Sequence, residues 1–447
     1  MHTLEQLQSG ALDGIRRLDL SCGLRTVPPD VFRLADTLEV LNLSGNQLTS
    51  LPADLPRLHR LKVIFCSDNP FTELPTVLGD CAALQVVGFK ACHIVDVPGS
   101  ALPRALRWLI LTDNAIAQLP SELGQRPSLQ KLMLAGNRLC ALPAGLADAR
   151  NLELIRLAAN HLAELPDWLT QLPRLGWLAL SGNPMGWQRS SATALPTVSW
   201  PHLRVEGLLG EGASGRIYRV QWPGPPGQAA LKLFKGAITS DGLPAHELAA
   251  CVAAGQHPSL CTPLAQLVDH PQGVQGLLFP LIPPEFINLA AAPSLDSCTR
   301  DVYPAGLCIP IPVAVRLVRD VAAAVAHLHH RGVVHGDLYA HNILWNPVTG
   351  EALLSDFGAA TQLPAGCDTL QDSLQALEVW AFGCLLDEIA TYAASDLLSD
   401  EAYPGVRNAL ATLAQHCMNP KPANRPPMTA VKHHLEGLSE QLGNANR

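Results

Sequence analysis

The sequence predicts a multidomain chain in which an α/β solenoid of short repeats is followed by an α+β domain. Three observations support this prediction. The first part of the 447-residue chain repeats itself every 22 or 23 residues, the period stops near residue 183, and the remainder alternates between strand-like and helix-like segments. Apolar residues make up 48% of the chain and charged residues 16%, a composition typical of globular domains with a substantial core.

The repeats carry leucines at fixed positions. A clear copy is LEVLNLSGNQLTSLPADLPRLHR, residues 38–60, in which the first, fourth and sixth positions of the repeat face a shared core from a short strand. This pattern resembles the leucine-rich repeat, and it implies a domain over residues 15–183 with a helical cap over residues 1–14. The eight repeats begin at Ile15, Leu38, Leu61, Leu84, Leu106, Leu129, Leu152 and Leu175.

The ninth position of each repeat is occupied by a residue that turns the chain. An asparagine there can also bond to the backbone of adjacent repeats, which would tie the solenoid together. Cys92 and Gly23 replace it once each. The asparagines are Asn46, Asn69, Asn114, Asn137, Asn160 and Asn183.

The third and fifth strand positions of the repeats are expected on the concave face of the solenoid. They are unusually apolar for a surface in water, which predicts that a partner protein or protein substrate binds there. The residues expected to make this contact are Phe65, Trp108, Ile110, Met133 and Trp177.

After the repeats, residues 184–203 are rich in Ser, Thr and Pro and are expected to form a linker. Gly210, Gly212 and Gly215 then form G-x-G-x-x-G, a pattern that suits a loop lying over phosphates. The following residues, RIYRVQWPGPPGQAALKLF, indicate two strands around a turn, whereas a dinucleotide-binding fold would place a helix there. Lys232 lies on the second strand, and Glu247 of the next helical segment is its expected partner.

The stretch VVHGDLYAHNIL, residues 333–344, places Asp337 five residues before Asn342. Nineteen residues after Asp337, Asp356 begins the triplet Asp-Phe-Gly, and VWAFG and Arg425 follow farther along the chain. In this order, and over residues 204–437, the signals resemble the eukaryotic-type protein kinase catalytic domain, which has two lobes. Residues 438–447 are then a C-terminal tail.

The resemblance implies binding of ATP and Mg²⁺ and a role for each of the polar residues. Lys232, held by Glu247, would grip the α- and β-phosphates, while Asn342 and Asp356 would hold the metal. Asp337 would accept or orient the proton of the acceptor hydroxyl. Further contacts to the nucleotide are expected from Gly210, Gly212, Gly215, Phe279, Leu281 and Ile282.

The chain departs from the family pattern near Asp337. Gly336 stands where the family usually has the arginine that pairs with a phosphorylated loop, and Tyr339 stands where Ser/Thr kinases have lysine. His341 occupies the position of a basic residue in tyrosine kinases. Only nineteen residues separate Gly358 from Glu378, so the usual docking segment for peptides is short, and Glu378 is the expected partner of Arg425.

Three functions follow from these observations. The first is a protein kinase, most simply for Ser and Thr, with its substrate or partner recruited by the repeats. The second is a small-molecule kinase, because His-Gly-Asp followed five residues later by Asn also resembles the aminoglycoside and choline kinases. The third is a catalytically inactive scaffold. The glycine-rich loop, SDFGAA and VWAFG favour the protein kinase class.

Charge and cysteine usage restrict the cellular setting. A net charge of −8 argues against a nucleic-acid partner, and no apolar stretch is long enough for a membrane span. The first residues lack the basic flank and apolar core of a signal peptide. Twelve scattered cysteines without metal-ligand spacing indicate reduced thiols. We therefore expect a cytoplasmic protein. The compact kinase-like region favours a bacterial source, and secretion into a host cell is left open.

Overall fold

The computed structural model describes residues 1–185, 195–212, 215–235, 241–364, 368–393 and 405–445. The chain divides into two compact units. The first comprises Met1–Leu172 with Asn183–Gly186, and the second comprises Pro173–Gly182 with Trp187–Arg447. The second unit therefore contains a short piece of the repeat region.

The repeats begin with the helix α1 (Leu4–Gln8), which Thr3 and Gln6 close with a capping box. Each repeat then contributes a three-residue strand to one parallel sheet, which has eight strands in chain order. This confirms the predicted repeat fold. The strands are β1 (Arg17–Asp19), β2 (Val40–Asn42), β3 (Val63–Phe65), β4 (Val86–Gly88), β5 (Trp108–Ile110), β6 (Lys131–Met133), β7 (Leu154–Arg156) and β8 (Trp177–Ala179).

Short 3₁₀ helices return the chain between strands, and six of the seven have a proline at or directly before their first residue. Proline suits such a start because its missing N–H has no partner to lose there. The 3₁₀ helices are Pro29–Leu34, Leu55–Arg57, Thr76–Asp80, Gly99–Ala101, Ser121–Gln125, Ala144–Asp148 and Asp167–Gln171.

The repeat asparagines bond to the backbone of neighbouring repeats, as their position in the repeat predicts. The side-chain oxygen of Asn46 accepts from the N–H groups of Cys22 and Leu24, and its nitrogen donates to the carbonyls of Leu20 and Leu43, at 2.8–3.0 Å. A buried amide with these four bonds stabilises a tight turn without leaving polar groups unsatisfied.

The predicted concave-face residues do not share one environment. Phe65, Trp108, Ile110 and Met133 are half-buried, and partner binding by them stays a prediction. Trp177 is only 1% exposed, so the expectation that it lies open on this face is wrong. Its ring belongs to the second unit and packs against Tyr339 there.

After Pro173–Gly182, the second unit continues with a six-stranded sheet in the order β10-β11-β12-β14-β13-β9. Thr197–Ser199, which lie within the predicted linker, form strand β9 of this sheet, so that part of the linker prediction is wrong. Residues 186–194 of the linker lie outside the described residues. The strands are β9 (Thr197–Ser199), β10 (Arg204–Glu211), β11 (Gly215–Gln221), β12 (Gln228–Phe234), β13 (Ala265–Val268) and β14 (Gly276–Phe279).

Helices dominate the rest of the second unit. Helix α3 buries a continuous apolar face and packs against α6, while α4 packs against α5. Two small sheets, β15-β17-β18 and β16-β19, flank the loops that carry Asp337, Asn342 and Asp356. The helices are α2 (Pro244–Ala254), α3 (Ile311–His330), α4 (Asp368–Tyr392), α5 (Val406–Cys417) and α6 (Met428–Ala445), and the strands are β15 (Ile287–Asn288), β16 (Val333–Val334), β17 (Ile343–Trp345), β18 (Ala352–Leu354) and β19 (Thr361–Gln362).

No helix of the described residues is both long enough and apolar enough to cross a membrane.

Candidate active site

A cavity of about 430 Å³ lies in the second unit beside the glycine hairpin formed by β10 and β11. Most of the predicted site residues line it, although they come from distant parts of the sequence. Gly210 and Asp337 are the two that do not. The predicted residues that line the cavity are Gly212, Gly215, Lys232, Glu247, Phe279, Leu281, Ile282, Asn342 and Asp356.

Lys232 lies in the middle of β12, between Ile217 of β11 and Leu277 of β14. Its ammonium is nearly buried and lies 2.7 Å from Oε1 of Glu247 and 3.7 Å from Oδ1 of Asp356. Burial alone would lower the pKa of Lys232, but the two carboxylates raise it above its ordinary value. The lysine is therefore a fixed positive charge at the wall of the cavity.

Glu247 projects from the first turn of α2, which begins at Pro244. Proline at this position starts the helix at no cost in hydrogen bonds. Burial raises the pKa of Glu247 to about 7, against the opposing effect of Lys232. A buried carboxylate of this kind depends on its cation, so each residue of the pair holds the other in place.

Asp337 and Asn342 lie at the two ends of the loop that follows β16. The side-chain nitrogen of Asn342 donates to the backbone oxygen of Asp337 at 2.9 Å and to its Oδ2 at 2.8 Å. Both amide hydrogens of Asn342 are used in this way, so its oxygen is the atom it can offer to a cation in the cavity. The spacing of five residues between Asp337 and Asn342 is thus the length of loop that these two hydrogen bonds close.

Asp356 has a backbone φ of +60°, in the left-handed region that few non-glycine residues adopt. Its Oδ1 accepts from the N–H of Gly358 at 3.1 Å, which holds the carboxylate in the turn. Phe357 is buried and its ring lies 5.3 Å from that of His335. His335 also lies within hydrogen-bond distance of the carbonyl of Ser355, so the loops carrying Asp337 and Asp356 are joined.

The glycine hairpin closes where the N–H of Gly212 donates to the carbonyl of Gly215 at 2.9 Å. A Cβ at Gly215 would lie 2.5 Å from the carbonyl oxygen of Leu233, so this close approach of strands requires glycine. Among the described residues, no heavy atom lies within 4 Å of where a Cβ at Gly212 would stand. Residues 213 and 214 at the tip lie outside the described residues.

Asp301 contributes to the site although it belongs to none of the motifs in the sequence. Asp301, forty residues before His341, accepts from the N–H of Ala340 and lies 2.7 Å from Nδ1 of His341. Burial alone would lower the pKa of His341, but the hydrogen bond to Asp301 and the charge of Asp337 raise it. Asp301 thereby fixes the middle of the loop between Asp337 and Asn342.

The expected pairing of Glu378 with Arg425 is wrong. Glu378 accepts from the N–H of Gly336 at 2.7 Å and lies 2.9 Å from Nε2 of His329. Arg425 instead donates to the backbone oxygens of Pro173, Ala376 and Asn419. The carboxylate therefore supports the loop that carries Asp337, in which glycine replaces the family's arginine.

The comparison with known families agrees with this geometry. The family described as protein kinase domain matches residues 203–435, more than half of the chain. The chain belongs to the protein kinase family. Leucine-rich repeat families match residues 36–88 and 127–185, so the repeats precede the protein kinase domain in this chain.

Relatives of this kinase include enzymes of both acceptor classes. The tyrosine-protein kinase transforming protein RYK of avian retrovirus RPL30 is 25% identical over 53% of this chain and 61% of its own length. The serine/threonine-protein kinase PknF of Mycobacterium tuberculosis is 27% identical over 53% of this chain and 47% of its own length. The chain therefore spans about half the length of these two curated relatives.

A solved leucine-rich repeat protein of Leptospira interrogans, LIC12759, is 31% identical over 38% of this chain and 50% of that chain, with a TM-score of 0.34.

Membership of the family implies the use of ATP and typically Mg²⁺. The donor set fits that metal, because the carboxylate of Asp356 and the amide oxygen of Asn342 are hard oxygen donors on the same cavity. Within the described part of the chain, no group of three or more His, Cys, Asp or Glu residues could hold a metal without further ligands. Magnesium bound by two side chains with phosphate oxygens is the arrangement expected of nucleotide sites.

Proposed function

We propose that this kinase transfers the γ-phosphoryl group of ATP to hydroxyl groups of proteins, most simply to Ser and Thr. The observation that supports this best is the position of the Lys232 ammonium, 2.7 Å from Glu247 and 3.7 Å from Asp356, on a cavity of about 430 Å³. Phosphoryl transfer depends on charge placed in advance around the phosphates, and such a cation meets that need.

Each polar residue has a distinct task in this proposal. Lys232 binds phosphate oxygens while Glu247 keeps its side chain extended. Asp356 and Asn342 would hold Mg²⁺, which neutralises charge on the phosphates when bound. Asp337, oriented by Asn342, accepts the proton of the attacking hydroxyl.

The same residues argue against an inactive scaffold. An interaction domain would have no need to keep Lys232 buried between two carboxylates, since burying charges is costly. Asn342 and Asp337 are also held in one hydrogen-bonded unit. We therefore propose an active enzyme, with the inactive scaffold and the small-molecule kinase as outcomes that the following experiment would reveal.

The experiment supplies labelled ATP and Mg²⁺ to the purified full chain, with a panel of protein acceptors and a panel of aminoglycosides, choline and related alcohols. We expect label on protein Ser or Thr, and a loss of at least about 100-fold in Lys232→Ala, because the phosphates lose their fixed cation. Label on a small molecule alone would replace the acceptor class. No transfer to any acceptor, with ATP still bound, would indicate a scaffold.

Recruitment of a partner by the repeats is a further part of the proposal. Phe65 and Ile110 both lie beside Gly88, whose missing side chain leaves them room across the sheet, and Trp108 carries the Lys131 ammonium 4.1 Å from its ring centroid. Large half-buried apolar side chains of this kind commonly dominate interfaces.

We expect Trp108→Ala combined with Met133→Ala to weaken binding to a protein acceptor from the panel, by about 2 kcal/mol or roughly thirtyfold. Titration calorimetry measures the affinity. Trp168→Ala is the matched control, because Trp168 is also half-buried but lies in the 3₁₀ helix Asp167–Gln171. Equal affinities for both variants would show that these strand positions do not bind the acceptor.

We also propose that this kinase works in a reducing compartment such as the cytoplasm. All eleven cysteines among the described residues are free thiols, and several are buried in cores. Structural disulfides would be expected in an oxidising compartment.

A further inference from the structure

The segment Pro173–Gly182, which carries β8, belongs to the same compact unit as the cavity. Trp177 of this segment is 1% exposed. Its ring stacks on that of Tyr339, with centroids 4.4 Å apart and planes 5° from parallel, and its Nε1 donates to the carbonyl of Leu338 at 2.9 Å. Leu338 and Tyr339 directly follow Asp337, so one side chain of the segment holds the backbone and a ring of the catalytic loop.

The stack extends on both sides of these two rings. The ring of His341 lies 5.1 Å from that of Tyr339, and the guanidinium of Arg300 lies 5.2 Å from that of Trp177. Asp301, next to Arg300, bonds to His341. The rings of Trp177, Tyr339 and His341 therefore form one row. The consecutive residues Arg300 and Asp301 contact its two ends.

Gly336 shows that the segment and the loop fit each other closely. Its φ is +72°, and a Cβ there would lie 2.8 Å from the carbonyl oxygen of Leu178 and 2.7 Å from that of Ala359. Both contacts are with backbone, which cannot move aside as the end of a flexible side chain can. The glycine that replaces the family's arginine is therefore required by its positive φ and by the close approach of two backbone oxygens, one from β8 and one from Ala359.

The segment also holds the chain that follows Asp356-Phe357-Gly358. The N–H of Leu180 donates to Oγ1 of Thr361 at 3.1 Å, and the hydroxyl of Ser181 donates to the carbonyl of Ala360 at 2.6 Å. Thr361 is buried and lies in β19, which pairs with β16 just before the catalytic loop. One segment thus fastens both loops that carry the acidic residues of the site.

We propose that Pro173–Gly182 is a positioning element of the active site, and that Trp177 is its main positioning residue. The element holds Asp337 and Asp356 in place through Leu338, Tyr339, Ala360 and Thr361, and it needs no phosphate on the loop to do so. This inference rests on the proposed phosphotransferase function, but the structural half of it can be tested without catalysis.

The test measures hydrogen exchange of the full chain without nucleotide, together with steady-state kinetics, in Trp177→Ala, Trp177→Phe and Trp168→Ala. In Trp177→Ala we expect exchange to accelerate at least about tenfold in peptides covering residues 333–345 and 359–362, because both loops lose their support. The value of kcat should fall about 10- to 100-fold, since small displacements of catalytic groups are costly, while KM for ATP stays within about threefold.

Trp177→Phe keeps a ring against Tyr339 and should restore at least half of the exchange protection and most of kcat. Trp168→Ala lies outside the segment and should match the unaltered chain in both measurements. Ser181→Ala, which removes one hydrogen bond only, should accelerate exchange in residues 359–362 alone. This last variant keeps the proposal testable if Trp177→Ala does not fold.

Unchanged exchange in both loops of Trp177→Ala and Ser181→Ala would overturn the proposal. So would a rise in KM for ATP that equals the fall in kcat, because that pattern indicates loss of the nucleotide site as a whole. If the unaltered chain transfers no phosphate, the proposed function fails, whereas the exchange measurements still decide whether the segment supports the loops.

Discussion

We expect phosphoryl transfer to fall by at least about 1,000-fold in Asp337→Asn, while the affinity for ATP changes by less than about threefold. Asparagine has nearly the shape of aspartate but cannot take up a proton at neutral pH. Asp337 does not line the cavity, and Lys232 and Asp356 are untouched, so the nucleotide keeps its contacts. Single-turnover kinetics and titration calorimetry on one preparation measure the two quantities.

Asp356→Ala is the contrasting variant, because this carboxylate lines the cavity 3.7 Å from Lys232. Its removal should weaken binding of Mg²⁺-ATP and abolish transfer together, since a metal ligand and the second anion beside Lys232 are lost. Undiminished, metal-dependent transfer by either variant would show that the acidic residues have been assigned wrongly. Loss of ATP binding in Asp337→Asn would contradict its assignment as the base alone.

The second large effect is expected at Gly336. Gly336→Ala should lower the free energy of unfolding by roughly 2–5 kcal/mol and should reduce phosphoryl transfer. Two costs add: about 1–2 kcal/mol for a side chain at φ +72°, and a further 1–3 kcal/mol for forcing Cβ against two backbone oxygens. Denaturant unfolding followed by tryptophan fluorescence measures the first effect.

Gly332 provides a matched control four residues earlier. Its φ is +67°, but no heavy atom of the part of the chain that the structure describes lies within 4 Å of where its Cβ would stand. Gly332→Ala should therefore cost only about 1–2 kcal/mol. Equal losses in the two variants would show that the backbone oxygens of Leu178 and Ala359 do not exclude a side chain at position 336. Gly336→Arg, which restores the residue that the family usually has, should be at least as damaging as Gly336→Ala and should not raise activity.

The sequence was sufficient for the parts of the structure that depend on periodic or ordered signals. The repeat strands were predictable because every copy buries apolar side chains at the same positions in one core. The Asn46 bonds follow from the regular spacing between copies. The residues around the cavity were predictable because Lys232, Asn342 and Asp356 stand in motifs of fixed order. In each case a local pattern determines a local structure.

What could not be predicted depends on contacts between segments that are distant in the sequence. Strand periodicity indicated the face on which Trp177 lies, but not that Tyr339 would cover it. Asp301 stands outside any motif, and only the folded chain brings it to His341. Glu378 was assigned to the wrong partner because a helix face can reach several groups, and the backbone N–H of Gly336 carries no mark in the sequence.

The position of Trp177 has a consequence for the modularity of this gene. The protein kinase family match begins at residue 203, but the compact unit that holds the cavity already includes Pro173, thirty residues earlier. Recombination that exchanged the repeats at residue 203 would deliver a catalytic domain without the ring that covers Tyr339. Domain exchange during evolution should therefore keep the final repeat strand, β8, together with the kinase domain. The repeats that precede β8 are the part that can be exchanged.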